Sequence, residues 1–186
     1  MTQRVRPLRA DAARNRARVL EVAWETFASE GLSVPIDEIA RRAGVGLGTV
    51  YRHFPSKDDL VRAIVADRLQ HVIEEADSLL QTGDPAEALF TFLRSVVLEW
   101  GATDVGLKNA LANSDIKINA RGVREPFLAV IDKLLRAAQQ AGTARTDISA
   151  KEVKALIVGC QAMHTYNKKA GKVAVNVMLD GLRPRP

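Results

Sequence analysis

The sequence predicts an all-α protein, on three observations. Apolar residues recur at three- and four-residue spacing along most of the chain. No alternating apolar stretch is long enough to make a strand, and prolines, glycines and capping residues cut the chain into about nine helical segments. The expected arrangement is a small N-terminal unit of three helices, residues 1–56, followed by a larger helical body over residues 57–186. With 186 residues and an apolar fraction of 47%, the chain has the material for a sizeable buried core.

The first helix is expected over Ala10 to Glu30, with Leu20, Trp24 and Phe27 on one face and Gly31 as the residue that ends it. Pro35 fits the first turn of a short second helix, Pro35 to Ala43. After Phe54-Pro55, the run Ser56-Lys57-Asp58-Asp59 resembles a capping box. It opens a long amphipathic helix to about Leu80, with Leu60, Ile64, Leu69, Val72 and Ile73 among its apolar positions. Asp84-Pro85-Ala86-Glu87 starts another helix: Asp as cap, Pro at the first helical position, Glu three residues after the cap. That helix, with Leu89, Phe90, Phe92, Leu93, Val96, Val97 and Trp100, is apolar all round and belongs in a core.

A short helix near Val105 to Ala112 and a polar stretch from Asn113 to Glu125 come next. From Pro126 a helix runs to about Ala141, ended by Gly142. Ser149-Ala150-Lys151-Glu152 forms a further capping box for a helix to about Lys169, and a last helix covers about Lys172 to Gly181.

Charge is unevenly distributed. Residues 1–18 hold six arginines against Asp11, a balance of +5, which is the net charge of the whole chain; the remaining 21 basic and 21 acidic residues cancel. A basic arm of this kind is expected to meet phosphates. The single cysteine, Cys160, excludes an intramolecular disulfide, and no apolar run approaches the roughly 20 residues of a membrane span. A soluble, cytoplasmic protein that does not engage membranes is the expectation. No Gly-rich phosphate loop, Gly-x-Ser-x-Gly element or paired carboxylates in an apolar setting is present, so an enzyme is not expected. His53, His71 and His164 show no metal-ligand spacing, and neither a metal nor a cofactor is expected.

Between residues 36 and 54 the chain reads IDEIARRAGVGLGTVYRHF. Ile36, Ile39 and Ala43 share one helix face, and Ala40 is small where another helix must come close. Gly44 stands at the helix end, where a sharp turn needs a positive φ that a β-carbon opposes. Val45 carries the turn into the core, and Val50 and Phe54, four residues apart, anchor the next helix from below. Left on the free face are Leu47, Gly48, Thr49, Tyr51, Arg52 and His53, a mixture of small, hydroxyl, aromatic and basic groups suited to a DNA major groove. Thr49 suits a phosphate or a thymine methyl, Arg52 a guanine or a phosphate, and Tyr51 and His53 backbone oxygens. Lys57 adds a cation at the start of the following helix. With Arg4 and Arg6 of the arm, these residues are the candidate contacts to double-stranded DNA.

The pattern resembles the DNA-binding domain of the tetracycline-repressor (TetR) family. The resemblance is carried by Ile36-Asp37-Glu38-Ile39-Ala40, Ala43-Gly44-Val45, Gly48-Thr49-Val50-Tyr51-Arg52-His53-Phe54 and Lys57-Asp58-Asp59-Leu60, within about residues 12–65. It implies a dimer whose recognition helices, here about Leu47 to Phe54, enter the major grooves of a palindromic operator. It also implies a C-terminal body that binds a small-molecule inducer, with repression as the usual outcome. Two positions depart from the pattern. Gly46 offers no hydroxyl where Ser or Thr often caps the recognition helix, and Leu47 replaces a polar residue, leaving a thymine-methyl contact or no base contact there.

The last two helices resemble the pair through which the family dimerises, so homodimerisation is expected through about residues 149–182. Val153, Leu156, Ile157, Cys160 and His164 form one expected stripe, and Val173, Val177 and Leu182 another. Candidates for a ligand pocket are Phe90, Leu93, Val97 and Trp100, then Phe127 and Ile131, then Met163, His164, Tyr166 and Asn167.

Overall fold

The computed structural model describes residues 5–98, 106–107, 110–112 and 114–184, without the side chains of 5–9 and 120. Among the described residues every regular element is a helix: α1 (Val5–Glu30), α2 (Ile36–Ala43), α3 (Leu47–His53), α4 (Lys57–Thr82), α5 (Pro85–Leu98), α6 (Ala120–Gln140), α7 (Ala150–Tyr166) and α8 (Lys168–Leu182). Residues 106–107 and 110–112 are also helical; the rest of the helix expected near Val105 to Ala112 lies outside the described residues. No described helix is long and apolar enough to cross a membrane.

The chain divides into two compact units. One takes the described residues within Met1–Asp67 and Gly106–Ile118, the other those within Arg68–Val105 and Asn119–Pro186, so the long helix α4 contributes to both.

In the N-terminal unit the core is Val19, Leu20, Ala23 and Phe27 of α1, Ile36, Ile39, Ala40 and Ala43 of α2, Val50 and Phe54 around α3, and Leu60, Val61 and Ile64 of α4. Leu107 is buried in the same cluster, with Leu111, Ile116 and Ile118 packed against it. Gly106 lies directly on α1: a β-carbon there would collide with the carbonyl of Ala28. α1 begins at Val5, earlier than the expected Ala10, so part of the basic arm is helical. Pro35 is the N-cap of α2 and not its first residue, with φ −73° and ψ 156°.

The larger unit buries Leu89, Phe92, Leu93, Val96 and Val97 of α5 against Ile131, Leu134, Leu135 and Ala138 of α6, Val153, Ile157 and Cys160 of α7, and Val175, Met178, Leu179 and Leu182 of α8. The start of α6 and the α7–α8 junction differ from expectation, each for a capping reason. α6 is opened by Asn119, whose side chain accepts from the Gly122 N–H at 3.0 Å, so Pro126 lies inside the helix and part of the expected polar stretch is helical. Asp84 does cap α5, accepting from the Ala86 N–H at 2.9 Å. Glu87, however, turns away to a two-point ion pair with Arg183 at 3.0 Å, and the Arg183 guanidinium sits 4.1 Å from the Phe90 ring centroid. Finally, α7 stops at Tyr166 and α8 starts at Lys168, because Asn167 Oδ1 accepts from the N–H groups of Lys169 at 3.0 Å and Ala170 at 3.1 Å. The capping box at Ser149 forms in full with Glu152.

Candidate nucleic-acid interface

The turn between α2 and α3 depends on Gly44, which adopts φ 66° and ψ 32° and donates its N–H to the carbonyls of Ala40 and Arg41. A β-carbon is disfavoured in this left-handed region, so the corner that aims α3 has a glycine requirement. Arg18 of α1 reinforces the corner by donating to the Ala43 carbonyl at 3.5 Å.

α3 is only seven residues long and cannot hold itself together by propensity. It is held from below by the fully buried Val50 and by Phe54, which Arg16 covers at 5.6 Å from the ring centroid. Its N-cap Gly46 makes no side-chain hydrogen bond. With Val50 and Phe54 turned inward, Leu47, Gly48, Tyr51 and Arg52 are exposed, and Thr49 and His53 are half-buried at the edges of that face. The exposed fractions of Leu47 and Tyr51 are 42% and 47%.

Lys57, a candidate phosphate contact, also has partners within its own unit. Its ammonium donates to the Val34 carbonyl at 2.6 Å and sits 5.5 Å from the Phe27 ring centroid, and burial lowers its pKa. This cation therefore ties the start of α4 to the loop before α2. Arg4 and the side chain of Arg6 lie outside the described residues.

A clamp not anticipated from the sequence joins α1 and α2. Arg42 donates through Nε to Glu38 at 2.7 Å and through its terminal nitrogens to Glu30, and it approaches the buried Thr26 hydroxyl at 3.4 Å. Arg41 adds two hydrogen bonds of 2.7 Å to Glu38. Acid after Pro35 followed by two arginines one turn later was the available signal, readable as an (i, i+4) pair but not as a bridge back to Glu30. The hydrogen bonds from Arg41 and Arg42 hold the Glu38 carboxyl down at about 2, below its ordinary 4.5, and Glu30 is also lowered by Arg42. A depressed folded-state pKa contributes stability above the unfolded value and loses it as pH falls through the folded one. The melting temperature of the wild type is therefore expected to fall more steeply between pH 5 and 2 than that of Glu38→Gln, which has no proton to take up. Parallel thermal melts across that range check it; equal slopes would remove Glu38 from the acid response.

In the larger unit the ligand candidates fall in two environments, a core group and a surface group. Phe90, Leu93, Val97 and Ile131 are buried together in one core cluster, and Phe127 is partly buried against it. Tyr166, 93% exposed, and Met163 lie on the surface of α7, and the Asn167 side chain is committed to capping α8. His164 is 6% exposed, its Nδ1 has no hydrogen-bond partner among the described residues, and it is packed beneath Gly171. Trp100 lies outside the described residues.

The two expected stripes also divide. Val153, Ile157, Cys160 and His164 face the unit's own core, as does Leu182, and burial raises the pKa of the Cys160 thiol. Leu156, Val158, Met163 and Tyr166 on α7, and Val173 and Val177 on α8, are exposed apolar or aromatic side chains. Both faces of α7 are apolar, so spacing alone could not say which one turns inward.

Comparison with known proteins agrees with this architecture. A family model described as bacterial regulatory proteins, tetR family, matches residues 19–64, and one described as the C-terminal domain of SbtR-like transcriptional regulators matches residues 84–184. The HTH-type transcriptional regulator SrpR of Pseudomonas putida is 42% identical over 66 residues, 35% of this chain and 30% of its own length. The chain thus matches about a third of the curated relatives' length. The crystal structure of a TetR transcription regulatory protein from Mycobacterium vanbaalenii superposes with a TM-score of 0.80 at 51% identity, over 96% of this chain and 100% of that one. The TetR transcriptional regulator SCO0520 of Streptomyces coelicolor gives 0.79 at 28% identity, over 92% and 99%. On both its helix-turn-helix and its helical body, the chain belongs to the TetR family of DNA-binding transcriptional regulators.

Proposed function

We propose that the chain binds a palindromic operator as a homodimer through α3 of each protomer and represses transcription there, and that a small-molecule effector held in the larger unit relieves repression. The observation that carries this reading is the outward face of α3. Leu47, Gly48, Tyr51 and Arg52 are exposed on a helix whose other face, Val50 with Phe54 beyond it, is locked into the core. The mixed polar, basic and apolar chemistry of that face suits base edges and phosphates. The positive excess in residues 1–18, Arg4 and Arg6 included, supports additional phosphate contacts and a salt-dependent affinity.

Two protomers are part of the proposal because one seven-residue helix reads only a half-site. The exposure of the apolar or aromatic side chains Leu156, Met163, Tyr166, Val173 and Val177 supports pairing through α7 and α8. Support for an effector comes from the match of residues 84–184 to the family's C-terminal domain, with Phe90, Leu93, Val97, Phe127 and Ile131 as the apolar lining candidates.

Selection from random duplexes, with sequencing of the tightest fraction, tests the proposal. A palindrome with half-sites about one helical turn apart is expected. Tyr51→Ala and Arg52→Ala are each expected to weaken binding to it by about tenfold or more while leaving the melting temperature unchanged. Failure to enrich any sequence, or binding indifferent to both substitutions, would overturn the proposal.

A further inference from the structure

Among the described residues of the N-terminal unit, the exposed large apolar or aromatic side chains are Leu47 and Tyr51, one helical turn apart on α3. Scattered exposed leucines need no explanation, but among its described residues this unit otherwise buries its large apolar side chains wholly or in part and concentrates the exception on the face proposed to meet DNA. Beside them, Gly48 leaves the helix surface bare. A β-carbon at Gly48 would meet nothing within 4 Å, so packing within the chain gives no reason for glycine there, although glycine weakens a helix by about 1 kcal/mol relative to alanine. The first turn of α3 thus combines an apolar projection at Leu47 with a low point at Gly48 and an uncapped start at Gly46. Leucine has no donor or acceptor for a base edge. The one feature of the major groove complementary to it is the thymine 5-methyl group, which no other base pair presents.

Resting on the proposed operator binding, we infer that Leu47 is a specificity-determining residue that packs on a thymine 5-methyl group, so that each half-site carries a T·A pair beneath the first turn of α3. The recognition is of a methyl group and requires no hydrogen bond at that pair. It distinguishes thymine from uracil, which presents the same O4 acceptor without the methyl.

The test uses the full chain and the palindrome obtained by selection, with each thymine replaced in turn by deoxyuridine. One thymine position per half-site is expected to be sensitive. Binding should weaken about fourfold on replacing it in one half-site and about fifteenfold in both, as expected for loss of one buried methyl contact per half-site. Leu47→Ala is expected to melt at the wild-type temperature, since Leu47 is exposed, and to bind the thymine and uracil duplexes within twofold of each other. Two results would overturn the inference while leaving operator binding intact: no uracil-sensitive position in a palindrome that wild type still selects, or uracil sensitivity undiminished in Leu47→Ala. Failure to select any palindrome would instead remove the operator-binding proposal and this inference with it.

Discussion

Val177→Glu is expected to convert the proposed dimer to a monomer and to lower affinity for the proposed palindromic operator by about 100-fold or more. Val177 is 65% exposed on α8, so a carboxylate there is fully hydrated in the isolated protomer and does not disturb its core. In a dimer built on Leu156, Met163, Tyr166, Val173 and Val177, the same carboxylate would lose its water without gaining a partner, a cost of several kcal/mol. The loss of DNA affinity follows from linkage. Two joined half-site contacts gain a factor of about 10² to 10⁴ over separate ones, and that factor disappears when the protomers separate. Sedimentation equilibrium and titration of the selected duplex check the two halves together. An intact dimer in Val177→Glu would mean that the apolar surface of α7 and α8 has another use.

Gly171→Ala is expected to destabilise the larger unit, with a net loss of about 1–2 kcal/mol and a melting temperature several degrees lower. A β-carbon at Gly171 would fall 2.6 Å from His164 Cβ and 2.7 Å from His164 Nδ1, and closer still to His164 Cα, so the backbones of α7 and α8 must separate. Overpacking of this kind costs about 1–3 kcal/mol, offset by up to about 1 kcal/mol of helix propensity gained on leaving glycine. Gly48→Ala provides the opposite sign: nothing lies within 4 Å of the added carbon, and the melting temperature should stay level or rise. Thermal melts of the two variants decide it. A stable Gly171→Ala would show that the α7–α8 approach can relax without loss.

Much of this architecture was legible in the sequence, and the failures have physical causes. The α2–α3 corner was readable because its determinants are local: Gly44 at the helix end, and Val50 and Phe54 four residues apart beneath α3. The boxes at Ser56 and Ser149 marked the starts of α4 and α7 for the same reason. Asn119 and Asn167 were missed because a lone asparagine cap has no companion residue to announce it, and Pro126 drew the predicted start of α6 to itself. Lys57 illustrates the limit for the candidate site. Its position next to α3 suggested a phosphate, but only tertiary structure brings the Val34 carbonyl and the Phe27 ring to its ammonium. The division of α7, with Ile157 and Cys160 inward and Leu156 and Met163 outward, required the packing of α5 and α8 to settle.

DNA reading is proposed to lie on the outward face of α3. Hydrogen exchange of the full chain, with and without the selected duplex, tests it most directly. Added protection is expected to concentrate on residues 47–54 and on the N-terminal turns of α1, with the buried core of α5 and α6 unchanged. Tight, sequence-specific binding that left residues 47–54 exchanging at their free rate would contradict it.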